Sequence, residues 1–147
     1  MATTPNSIIT PQTPNAGVMN VILSTALSST HRYDGTEAAG TSMGLIYTVG
    51  ANGGRVDKVI ARPSATAAAD PSTASSATVL RIWINNGSAN TTAANNALVA
   101  EQTIASYTAS ATASVTGYEI PINLVPPAGY KVYAGTGTAA GGTNNAL

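Results

Sequence analysis

The chain has 147 residues, zero formal net charge and only 8% charged side chains, against about 25% in an ordinary soluble domain. Alanine, threonine, serine, glycine and asparagine make up 87 of the 147 residues, so hydroxyls and amides stand where charges usually do. Six scattered cations matched by six acids argue against a phosphate-backbone partner, and the lack of cysteine excludes disulfides and thiolate metal sites.

Residues 1–17 carry Pro5, Pro11 and Pro14 among Thr, Asn and Gln, with Ile8 and Ile9 between them. Proline fixes φ and removes a donor, so the segment reads as an extended N-terminal arm, either a loose tail or an arm that orders along a partner. It has neither the basic start nor the continuous apolar run of a signal peptide. No stretch approaches the roughly 20 apolar residues of a membrane span. The expectation is a soluble protein made in a reducing compartment or without use for disulfides.

From Val18 the hydrophobic period is near two, the mark of half-buried strands. In VMNVILSTAL, Met19, Val21, Leu23 and Leu27 share a face; in MGLIYTV the shared face is Met43, Leu45, Tyr47 and Val49. VLRIWI sets Leu80, Ile82 and Ile84 opposite Arg81 and Trp83. TGYEIPINL gathers Tyr118, Ile120, Ile122 and Leu124 against Glu119 and Asn123, and YKVYA sets Tyr130 and Val132 opposite Lys131 and Tyr133.

Turn formers separate these runs: Asp34-Gly35, Gly50–Gly54, Asn85-Asn86-Gly87 and Pro126-Pro127-Ala128-Gly129. No stripe repeats at helical spacing; the best helical candidate, Ala93–Ala100, is short. Pro63–Ala77 and Ser106–Val115 are small and polar, and read as long loops. The pattern predicts one all-β domain over residues 18–147, a β-sandwich or jelly roll of about seven or eight antiparallel strands. With no Phe and one Trp the core is thin, so association would add stability.

Chemistry-bearing motifs are scarce. His31, the single histidine, lies in THRYDGTE beside Asp34 and Glu37, but matches no metal spacing and reads as part of a turn. No serine sits in a G-x-S-x-G context, and GANGG lacks the GK[ST] ending of a phosphate loop. The pattern does not point to an enzyme.

Two features point to partners. In RVDKVIAR, alternation puts Lys58 and Arg62 on one side and Arg55 and Asp57 on the other, which fits an edge strand or a contact rim. Trp83 falls opposite the aliphatic face with Arg81. It points outward, as an interface anchor or part of a sugar-stacking platform, unless a loop or bulge covers it.

Several stretches in order resemble the small, alanine- and threonine-rich β-sandwich proteins of tailed bacteriophages and prophages: Asp34-Gly35-Thr36, LIYTVGANGGRVDKVIAR, VLRIWINNG, LVAEQTIA and PPAGYKVYAGTGTAA, over roughly residues 34–140. The resemblance implies a virion structural protein, foremost a decoration or cement protein on the capsid exterior, made in the host cytoplasm. It would bind major capsid protein subunits, form dimers or trimers, and lay a terminal arm along the shell. No catalytic residue, metal or cofactor is implied. The end, GGTNNAL, lacks the apolar last strand of that group.

Candidate partner contacts are therefore Pro5, Ile8, Ile9, Pro11 and Pro14 of the arm, Arg55, Lys58 and Arg62 of the charged strand, and Arg81 and Trp83. The alternative is a tail- or fibre-associated module recognising a host-surface glycan.

Overall fold

The computed structural model describes residues 26–28, 31–37, 42–65, 74–108, 110, 112–138 and 145–146. The arm 1–17, with Pro5, Ile8, Ile9, Pro11 and Pro14, and the run from Val18 to Thr25 lie outside them. What is described is all-β, with every strand pairing antiparallel.

Six strands do most of the building: β1 (Met43–Thr48), β2 (Val56–Ala61), β5 (Thr78–Asn85), β6 (Asn96–Ile104), β8 (Tyr118–Leu124) and β9 (Lys131–Thr136). The main sheet has the order β1-β9-β5-β6, and β2 pairs with β8 in a separate ribbon. Four short strands of two residues each, β3 (Ser64–Ala65), β4 (Ala74–Ser75), β7 (Tyr107–Thr108) and β10 (Asn145–Ala146), form the pairs β10-β3 and β4-β7. The two polar stretches read as plain loops thus hold a pairing between them, reinforced where Tyr107 N donates to Ser75 Oγ at 2.9 Å. The chain end, which lacks the apolar last strand of the phage group, carries only the two-residue β10. The candidate helix Ala93–Ala100 divides into one 3-10 turn, Ala93–Asn95, and the start of β6.

The ribbon packs on one face of the main sheet and forms a β-sandwich-like core. Leu80 and Ile82 of β5, Ile104 of β6, and Val132 and Ala134 of β9 meet Ala61 of β2 and Ile120 of β8, with Val59, Tyr118 and Ile122 alongside. The period-two reading holds on β8, where Ile120 is buried while Glu119, Pro121 and Asn123 are exposed. Each aliphatic side chain fully buried here is worth about 1.5–3 kcal/mol, which is how a core without Phe holds.

On β1 the reading fails at one residue. Leu45 faces Tyr133 and Tyr47 faces Val132, so Ile46 is the extra residue of a β-bulge. A bulge shifts the alternation by one. Met43 therefore stays with the second face, and Leu45 packs there too, whereas Tyr47 turns to the sandwich core. The Gly50–Gly54 turn forms, with Gly53 N donating to Gly50 O at 3.0 Å. It does not join neighbours, however: β1 and β2 belong to different sheets, and the turn is the corner between them.

The second face of the main sheet is also covered. Leu27, Met43, Trp83 and Tyr133 form a buried cluster there, and the cover is the segment around Leu27 and Tyr33–Gly35. Leu27 joins the sheet through its N–H to Thr136 O at 2.9 Å. Its side chain lies on Gly135, where an added Cβ would come 2.7 Å from Leu27 Cδ1. Gly35 rests on the indole, with φ of 65° and room for no Cβ, since one would sit 2.9 Å from Trp83 Cδ1.

Gly35→Ala is therefore expected to lose about 1–3 kcal/mol, from left-handed strain plus the contact with the indole. Urea unfolding followed by the emission of Trp83, the single tryptophan, measures this directly.

Candidate functional site

Two surfaces gather the side chains that could meet a partner. The first is the cover over Trp83. A turn forms because His31 N donates to Ser28 O (3.1 Å) and Gly35 N to His31 O (3.2 Å). Asp34 Oδ1 then accepts from Thr36 N (3.0 Å) and Thr36 Oγ1 (2.8 Å), an Asx turn. The indole N–H donates to Tyr33 O at 3.3 Å. Asn96 Nδ2 lies 3.1 Å from Asp34 O, 3.0 Å from Gly35 O and 2.6 Å from Asn90 O, and its Oδ1 accepts from Asn85 Nδ2 at 2.8 Å. Asn90 Nδ2 donates to Glu37 O. The asparagines of the β5–β6 connection thus fasten the cover to the sheet.

Trp83 is 1% exposed and Arg81 7% exposed. Of the two readings of Trp83, the covered one holds: the strand alternation is right, and the face it sends Trp83 and Arg81 to is roofed, so neither points outward. Arg81 Nε donates to Glu101 Oε1 at 2.7 Å, and its guanidinium lies 4.6 Å from the centroid of the Tyr33 ring. A buried cation requires such pairing. Tyr33 itself is 67% exposed and is the part of this assembly that faces outward.

The second surface is the outer side of the β2–β8 ribbon. Val56, Val59 and Ala61 pack on the core, while Arg55, Asp57, Lys58, Ile60 and Arg62 are exposed. The charges do not divide between two faces as simple alternation implies. Val56 pairs with Leu124 and Lys58 with Pro121, two steps on β2 against three on β8. Asn123 takes up the extra residue at a φ of 52°, a conformation asparagine tolerates better than most. Arg55 pairs with Asp57, and Lys58 Nζ meets Glu119 Oε2 at 2.8 Å. Exposed pairs of this kind contribute about 0–1 kcal/mol and can exchange partners. Ile60, 54% exposed, sits between Lys58 and Arg62. Sequence reasoning missed Ile60, because an isoleucine in an alternating strand reads as core; the one signal was that its neighbours at both i−2 and i+2 are cations.

His31 Nδ1 stands 3.7 Å from Glu37 Oε2, and that carboxylate also accepts from Ser28 N at 2.8 Å. The histidine belongs to the turn. Among the described residues no three His, Asp or Glu side chains converge as a metal site needs, and no helix is long and apolar enough to cross a membrane. Burial pushes the Tyr133 phenol up. Partial burial pushes the Asp34 carboxyl up, but the hydrogen bonds from Thr36 and the nearby His31 outweigh it, leaving its pKa below the ordinary 3.8.

No known protein family, curated protein or solved structure matches the chain.

Trp83→Ala is expected to cost about 3–5 kcal/mol of stability, read by urea unfolding followed by far-ultraviolet circular dichroism. Asp34 gives a pH signature. A carboxyl with a lowered folded-state pKa stabilises the fold above its unfolded pKa, and that contribution fades as pH falls through the lowered value. Asp34→Asn keeps an Asx acceptor but not the charge, so it should lower neutral stability by the amount the wild type loses on acidification and flatten the acid limb of the stability-versus-pH curve. Chemical denaturation from neutral pH down to pH values below the carboxylate range checks it.

Proposed function

We propose that the chain is a non-enzymatic structural protein of a phage virion, a decoration or cement protein that stabilises the head by binding major capsid protein subunits. The observation that carries this reading is the character of the surface. It is neutral overall, polar through hydroxyls and amides, and interrupted by exposed Tyr33, Ile60 and Val125. Zero net charge offers little protection against association, so such a surface suits lasting burial in an assembly. The ordered resemblance of segments between Asp34 and Ala140 to phage sandwich proteins supports the same reading. Dimers or trimers on the capsid exterior, with the arm 1–17 along the shell, are part of the proposal.

A glycan-binding tail or fibre module has one observation in its favour, the exposed ring of Tyr33. Of the other aromatics that could form a stacking platform, Trp83 and Tyr133 are buried and Tyr107 is half-buried.

The test is sedimentation of the purified protein with capsids that lack it. Co-sedimentation at a fixed ratio to the major capsid protein, abolished by deleting residues 1–17, is the expected result. A protein that ignores capsids under all salt and pH conditions overturns the reading.

A further inference from the structure

The β2 strand has a property that the capsid reading does not by itself assign. Among the described residues it pairs only with β8, and its other edge meets no described strand. An open edge is a template for another strand. What pairs there is decided by the side chains beside it. The run Arg55–Arg62 holds three of the chain's six cations; Asp57 and the neighbouring Glu119 of β8 pair with Arg55 and Lys58 in exposed, exchangeable contacts, which leaves a cationic excess beside the edge. Ile60 stands exposed between Lys58 and Arg62.

We propose that the β2 edge is a strand-addition site for an extended, acidic segment of a partner protein, one that alternates carboxylates with apolar side chains. Backbone hydrogen bonds supply affinity in this mode and the flanking side chains supply choice. Lys58 and Arg62 meet carboxylates, and Ile60 meets an apolar side chain between them. A second copy of β2 is the wrong occupant, because antiparallel pairing would set one excess of cations against another, and like charges across a ladder destabilise it. The same charges therefore discourage self-pairing and select a different chain. Identifying that chain as the major capsid protein rests on the function proposed above; the chemistry of the edge does not.

The experiment titrates the full chain with the peptide acetyl-Thr-Glu-Val-Glu-Val-Glu-Thr-amide, its lysine counterpart, and an acidic analogue N-methylated at alternate residues. Heat of binding is measured, with amide hydrogen exchange over residues 55–62. The acidic peptide is expected to bind in a salt-dependent way and slow exchange on β2, while the lysine and N-methylated peptides do not. Lys58→Glu with Arg62→Glu should weaken the acidic peptide by about tenfold or more and favour the lysine peptide. Arg62→Gln alone, a milder change, should shift affinity in the same direction and guards against a misfolded double variant. Absence of binding up to millimolar peptide, equal binding of acidic and basic peptides, or undiminished binding of the N-methylated analogue each overturns the proposal. Capsid sedimentation separates the two readings. Capsids that retain the charge-reversed variant fully would refute β2 as the contact while leaving the cement role standing. If capsids ignore the wild-type chain, the cement role fails and the peptide titration still judges the edge.

Discussion

The burial of Trp83 is the constraint on which the rest of the structure depends. A sheet with only one covered face would leave the indole, Tyr133 and Met43 in water. Here one face packs on a two-stranded ribbon and the other is closed by an irregular segment, from Leu27 to Gly35 in its described parts. An irregular cover brings backbone groups to a buried surface, and each must find a partner. The indole N–H, the side chains of Asn85, Asn90 and Asn96, and the Asx turn at Asp34 answer that requirement. The same closeness explains why glycine stands where the chain crosses the ring and where Leu27 crosses β9.

This arrangement sorts the few charges into two populations. Around the cover they serve the fold: Arg81 is held by Glu101 and the Tyr33 ring, and Arg32 Nε reaches Leu27 O at 3.4 Å. On the ribbon they face outward, in loose pairs around an exposed isoleucine. A buried charge such as Arg81 is fixed by its desolvation and cannot give up its partners without loss. Exposed ones exchange water or a new counterion at little cost. The ribbon charges and the outer ring of Tyr33 therefore face solvent, while Arg81 and Trp83 are buried within the fold.

Much of the fold was legible because it rests on local rules. Alternation found β5, β8 and β9 and named Leu80, Ile82, Ile120 and Val132 as core, and glycine, asparagine and proline marked the corners. The misreadings share one cause. Alternation assigns a residue to a face but cannot say whether that face is covered, nor where a bulge changes the count. Tyr47 moved to the other side because Ile46 is an extra residue on β1, and on β2 the alternation breaks where the register with β8 slips, leaving Asp57 and Lys58 both exposed between Val56 and Val59.

What the sequence by itself determined was the all-β class, the uncharged polar surface and most of the strand positions, since these follow from side-chain period and turn chemistry within a few residues. The tertiary structure decided which strands became neighbours. It put β1 and β2 in different sheets across a tight turn, and set a polar segment as roof over the single tryptophan. These outcomes depend on contacts between residues far apart in the chain, Tyr33 with Trp83 and Leu27 with Gly135, whose free energy no local pattern encodes.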